Sequence, residues 1–330
     1  MFAPLLTAVT RRLTTISRHW SAFWFTPADP APLCLIRLLA GGMTLYSHIV
    51  WGLKLDSLLG PDGFNSLELL QALPGNEWAW SFWWSVPVEW MTTVHSICLA
   101  ILALFWIGCC TRVTSILALA VHVSYSNRAQ FSNYGLDQIT SILLLYLAIG
   151  PSGALYSVDQ LIRRYFPRPR AALAGSPCPS ANLALRLIQV HYCIIYFFAA
   201  TAKLQGPAWW TGEAMWRAFA NYEYQSTDMT WLAAYPWVLQ LITHVAILWE
   251  LSFAYLIWVR PLRPLMLTLG VIMHLGIGAC MGMWTFGLMM IFGYIAFLEP
   301  ATVRRMIALC LRRPSRSNPS LIDEPIQYQR

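Results

Sequence analysis

The sequence predicts an all-α, polytopic integral membrane bundle of about eight transmembrane helices. Three observations predict it. Hydrophobic residues make up 57% of the 330 and charged residues 11%, against about 45–50% and 25% in soluble domains. The mean hydropathy of +0.51 reflects more apolar surface than a soluble core of this length could hide. The apolar residues also come in runs near the ~20 that a bilayer requires, not in the short alternating segments of a membrane β-barrel.

Taken in order, residues 4–26 carry Arg11, Arg12 and Arg18 among Leu, Phe and Trp, the pattern of a basic helix lying on a membrane surface. The same arginines interrupt the first apolar run, which argues against a cleavable signal peptide. Eight candidate spans follow, at 31–53, 86–108, 111–127, 136–150, 182–201, 236–259, 264–280 and 283–299. The third, fourth, seventh and eighth are short, so two of them could be re-entrant or tilted. The expected organisation is an N-terminal surface segment over 1–30, a transmembrane domain over 31–300, and a basic, partly disordered tail over 301–330. Most of the eight cysteines fall inside apolar runs, and there is no CxxC pair. Neither a disulfide framework nor a thiol redox motif is expected.

Charge sorts the connecting loops. The amino terminus, the 108–112 turn, the 151–180 loop, the Arg260–Arg263 turn and the tail hold 16 of the 22 Lys and Arg residues. The opposite loops hold Lys54, Arg128, Lys203 and Arg217. That bias predicts both termini in the cytoplasm. The net charge of +7 thus marks orientation and affinity for membrane lipid, not a nucleic-acid groove. Twelve of the 17 tryptophans, among them Trp78, Trp80, Trp83, Trp84, Trp209, Trp210, Trp216 and Trp231, fall at or beyond the outer ends of spans. They form either an interfacial belt or the roof of a site for a flat apolar ligand. The stretch 212–221 reads as a short amphipathic helix across such a mouth.

Ionisable residues inside spans are costly and point to function by default. Arg37 lies about 9 Å into the first span, and Glu250 falls near the middle of the sixth. These two could form a buried pair. His95, His122, His191 and His274 sit in other spans, and Asp137 lies at the outer mouth of the fourth, near the depth expected for Lys203. HxxxH, HxxE and ExxH spacings are all missing, so no metal is predicted.

Lys203 stands apart. It ends an apolar run, Tyr196-Phe-Phe-Ala-Ala-Thr-Ala-Lys203, and is followed by the Gly/Pro-broken segment Gln205-Gly-Pro-Ala-Trp-Trp210. Its ammonium either snorkels to the surface as an anchor or is held partly desolvated. Burial favours the neutral, basic form of a lysine by up to ~3–5 pH units. Phe197, Phe198, Leu204, Trp209 and Trp210 could supply dry surroundings. A pair between Lys203 and Asp137 would instead favour the charged amine.

The chain resembles the HTTM family, which is similar to the transmembrane part of vitamin K-dependent γ-carboxylases. The resemblance is carried by Leu33-Cys-Leu-Ile-Arg-Leu-Leu39, by Asn133-Tyr-Gly-Leu-Asp137 leading to Gly150-Pro-Ser152 and Tyr156-Ser-Val-Asp159, by the lysine segment, and by Met273-His-Leu-Gly276 running to Phe286-Gly287. It implies that Lys203 deprotonates a reduced quinone, vitamin K or a relative, at the outer side. The anion reacts with O2, and the strong base so formed drives epoxidation of the quinone and carboxylation of a glutamyl peptide or protein. The resemblance gives His274 a supporting hydrogen-bond role in the same cavity, with His191 on a wall and Trp209, Trp210, Tyr134 and Asp137 around the quinone. The chain departs from the carboxylases at Ala202, where they have a second lysine, and at Tyr134, where they have histidine. It also stops at Arg330 without their large lumenal region, so propeptide capture is not expected. Two other classes stay open at this point: a non-catalytic quinone- or lipid-binding protein, and a small-solute transporter.

Overall fold

The computed structural model describes residues 3–72, 79–166 and 175–311, with side chains from residue 14 onward apart from 69, 71, 72 and 311. Trp78, the side chains of Arg11 and Arg12, and the tail from residue 312 lie outside the described residues. The described residues are mostly helical, and no strand occurs among them; a backbone bridge joins Ala28 to Cys178.

The expected surface helix is α1 (Ala3–Phe25), and the first span is α2 (Ala31–Gly52). The first long loop contains two short helices, α3 (Leu55–Leu59) and α4 (Leu67–Ala72). Next come α5 (Met91–Ile107), α6 (Thr111–Arg128) and α7 (Gly135–Ile149), then α8 (Val158–Tyr165) in a connecting loop. The helix α9 (Pro179–Lys203) is followed by the short α10 (Pro207–Thr211) and α11 (Ala214–Phe219). The last four are α12 (Pro236–Leu256), α13 (Arg263–Met281), α14 (Trp284–Gly293) and α15 (Pro300–Leu311).

Every expected span is thus a helix, but they are not equivalent. Five are long and apolar enough to cross a membrane: α2, α5 with the turn before it, α9, α12 and α13. Three fall short. α6 carries Thr, Ser, His and Asn among its apolar residues, and α7 has only 15 residues. The stretch expected as one span at 283–299 ends its α-helix at Gly293 and finishes as a tighter turn, Tyr294–Phe297. Chemistry at the helix ends explains the boundaries. Proline opens α2, α9, α12 and α13 in their first turn, where a missing N–H costs nothing. Gly108 closes α5 in the left-handed conformation (φ 74°).

The helices pack as two groups. In the first, α2 lies on α5, and α6 lies on α7; in the second, α9 lies on α12, and α13 lies on α14. Contacts of α7 with α9 and of α14 with α2 and α7 join the groups. Arg37 closes the first group and corrects the expected pair with Glu250. It is fully buried and donates to four backbone carbonyls: Ser152 at 3.0 Å, Phe105 at 3.1 Å, Trp106 at 2.5 Å and Tyr156 at 2.6 Å. A guanidinium has five donors in a planar fork and can be satisfied by carbonyls alone.

Candidate active site

Lys203 is the last residue of α9, and Glu250 lies 14 residues into α12, roughly 21 Å along it. The Lys203 side chain leans back toward the start of its own helix, as helical side chains do, and its Nζ donates to both Glu250 oxygens at 2.6 Å. The carboxylate is 8% exposed and the lysine side chain 26%. The ammonium is therefore directed into the bundle and does not snorkel outward. The Trp209 ring lies over it, 5.4 Å from Nζ to centroid.

Glu250 is the partner that sequence reasoning missed. The pairing joins residues 47 apart on different helices, which no periodicity announces. Asp137 does not take that place. It closes a capping box at the start of α7, where one oxygen accepts from Tyr134 N at 3.0 Å.

The outer loop folds back over the pair. α9 stops level with the middle of α12, and α10 and α11 pack beside the remainder of α12. Thr243 Oγ1 accepts from Met215 N at 3.3 Å, and its one proton is shared between Leu239 O at 2.8 Å and Gly212 O at 3.1 Å. The short helix expected over 212–221 is present as the six-residue α11, with Ala214 and Phe219 buried.

Beneath the pair lies a buried polar chain. The Tyr196 hydroxyl is 2.7 Å from His274 Nε2 and also meets the Tyr294 hydroxyl. Trp249 and Phe253 pack edge-on or tilted against the Tyr196 ring. His274 Nδ1 ends the chain, buried and without a protein partner among the described residues. Tyr196 and Tyr294 were also missed, although Tyr196 stands seven residues before Lys203 on the same face of α9. Gly287 lets α14 approach the His274 backbone: a Cβ there would lie 2.4 Å from the His274 carbonyl oxygen.

The other expected residues separate from this centre. Trp210 is 65% exposed and donates to Leu204 O at 2.7 Å, so of the two tryptophans only Trp209 is over the ammonium. His191 bonds the Tyr146 hydroxyl at 2.7 Å and lies roughly 18 Å along α9 from Lys203, so it does not wall the same site. Tyr134, 41% exposed, reaches Thr285 Oγ1 at 2.9 Å; the next residue, Phe286, packs on the His274 ring at 5.8 Å. Tyr134 is therefore at the rim, joined to the centre through α14.

A second polar cluster fills the first helix group. His95 Nδ1 lies 2.6 Å from the Tyr125 hydroxyl, His48 Nδ1 donates to Thr44 O at 2.8 Å, and His122 Nε2 donates to Asp137 O at 3.0 Å. The His48 and His122 rings are 5.5 Å apart beside a cavity of about 10 Å³, room for one water at most. No group of three or more His, Cys, Asp or Glu side chains is placed to hold a metal among the described residues.

Comparison with known proteins bears on what this centre is. No curated protein and no solved structure matches the chain. The model of the HTTM domain matches residues 25–301; this is the domain found in vitamin K-dependent γ-carboxylases. The match takes in Lys203, Glu250, Tyr196, His274 and Tyr294, and it covers most of the chain: the protein belongs to the HTTM domain family.

Proposed function

We propose that the protein is a carboxylase-like membrane enzyme acting on a reduced quinone, with the Lys203–Glu250 pair as its proton acceptor. One observation carries this reading: a lysine at a broken helix end is turned inward onto a buried carboxylate and capped by an aromatic face. An anchoring lysine would have no use for that arrangement. The residues present suit an aromatic ring bearing hydroxyls. Trp209 offers a stacking face, and His274 Nδ1 is a buried polar atom in need of a partner. A reduced quinone, when bound, supplies an acidic hydroxyl and the reducing electrons for reaction with O2.

The chain's own residues then divide the work. In water the pair is an ammonium and a carboxylate. When a bound apolar ring removes water from around Lys203, both charges lose solvation, and a proton moving from Nζ to Glu250 relieves that cost. The result is a neutral amine facing the ligand and a protonated Glu250 behind it. The base is thus generated within the pair, without a proton leaving to solvent. His274, oriented by the Tyr196 hydroxyl, which Tyr294 in turn holds, keeps the ligand oxygen by a hydrogen bond. Trp209 and the α10–α11 segment keep water away. The bias of Lys and Arg toward the opposite loops supports an outer location for the pair.

The test is quinone epoxide formation by the purified protein in nanodiscs, with reduced naphthoquinone, O2, bicarbonate and a glutamyl peptide. Epoxide from wild type and none from Lys203→Ala supports the reading; carboxylated peptide would extend it. Absence of epoxide across several quinones would overturn it. Quinone retained without turnover would then identify a binding protein.

A further inference from the structure

A different site lies where four helices begin or end. α2 and α9 start at Ala31 and Pro179, α6 starts at Thr111, and α7 ends at Ile149. Between these ends is a cleft of about 370 Å³, within the range of small-ligand sites. Its floor is the small-residue turn Gly150-Pro-Ser-Gly153, and Arg112 and Arg163 stand on its walls.

Both guanidiniums are fixed in place. Arg112 Nη1 donates to the carbonyls of Ala148 and Ile149, each at 3.2 Å. Arg163 Nη2 donates to Gly153 O at 2.9 Å and Ala154 O at 3.2 Å. Each thereby uses one terminal nitrogen of a planar, five-donor fork. Two positive groups held on either side of one turn are preorganised for an anion.

The acid in the cleft, Asp159, is already engaged. Its oxygens accept from Cys110 N at 2.8 Å, Thr111 N at 2.7 Å and Thr111 Oγ1 at 2.6 Å, at the positive end of α6. An independent observation says what kind of anion fits. On α6, just after Arg112, Val113, Ile116 and Leu117 are exposed, an apolar stripe running away from the cleft along that helix. Charged walls beside an exposed apolar stripe suit a ligand with an anionic head and an apolar tail.

We propose that this cleft binds the phosphate-bearing headgroup of an anionic phospholipid, with Arg112 and Arg163 on the phosphate and the acyl chains along the α6 stripe. The site is separate from Lys203 and does not depend on the quinone reading.

Native mass spectrometry of the full chain, released from vesicles of phosphatidylglycerol and phosphatidylcholine, tests this. Wild type is expected to retain phosphatidylglycerol in preference. Arg112→Gln and Arg163→Gln should each weaken that preference about fivefold, and the double variant should abolish it. Arg163→Lys, which keeps the charge, should retain most of it. Equal retention of both lipids by wild type overturns the proposal, as does a preference that survives in the double variant. Displacement of the lipid by millimolar inorganic phosphate would identify a soluble anion as the occupant and overturn the lipid assignment. Unchanged phosphatidylcholine retention and melting temperature confirm that the variants are folded.

Discussion

The two helix groups each bury a polar centre that contains histidine, but they do so by different rules. In the first group, His48, His95 and His122 are tied to carbonyls and to the Tyr125 hydroxyl, with no ion pair among them. In the second, His274 is tied to Tyr196, whose hydroxyl also meets Tyr294, beside a lysine–glutamate pair. A neutral imidazole with a carbonyl partner is a low-cost way to fill a bundle interior. A buried ion pair is a poor source of stability, because desolvation offsets most of its attraction. The second centre thus keeps an arrangement that stability alone does not explain.

The largest expected effect separates these rules most sharply. Glu250→Leu leaves an ammonium without its counter-charge and should destabilise the protein by about 3–5 kcal/mol, while ending quinone turnover. Adding Lys203→Met should restore the melting temperature to near wild type without restoring turnover. If the double variant stays as unstable as the single one, the pair is structural and the contrast fails.

Next comes a matched pair of histidines. His274→Gln should lower turnover by roughly 10²–10⁴-fold if it assists proton transfer. His122→Gln should leave turnover within about twofold while lowering stability by about 1–3 kcal/mol. Steady-state rates and thermal unfolding in the same nanodiscs distinguish the two; equal rate losses would make both centres functional.

Smaller effects refine the picture. Tyr125→Phe removes the hydroxyl that His95 bonds and should cost about 1–2 kcal/mol with turnover intact. The smallest change is expected of Tyr134→Phe, which loses a partly exposed bond to Thr285, about 0.5–1.5 kcal/mol. A measurable shift in quinone affinity in that variant would move Tyr134 from the rim into the site.

How much of this was legible in the sequence follows from the range of each signal. Composition and apolar runs are local, and all eight runs are helices. Four runs read as short: α6, α7 and α14 do fall short as spans, but the seventh run continues as the 19-residue α13, which is long enough to cross. Lys203 announced itself because a charge ending an apolar run is an anomaly that needs no second residue to interpret. Its partner could not be named in the same way. Glu250 was recognisable as a costly residue in a span, yet either Arg37 or Lys203 could have answered it. Only packing decides, and the decision turns on Arg37 being satisfied by carbonyls, which leave no trace in a sequence. Trp209 and Trp210 are adjacent and alike; the turn at Gly206-Pro207 sends one over the ammonium and the other outward. His191 was misplaced for the same reason, since sharing a helix with Lys203 says nothing about sharing a depth.

Arg37 carries a consequence for biogenesis. When α2 enters the membrane, its guanidinium has none of its four acceptors, because Phe105 and Trp106 are not yet synthesised and Ser152 and Tyr156 come later still. The first helix group cannot close in the order in which it is made. α2 is expected to stay near the insertion machinery until about residue 156 has emerged. Nascent chains arrested before that point should still cross-link from α2 to the translocon, and chains arrested beyond it should not. The arginine would then act as a timer on assembly as well as a clamp in the finished fold.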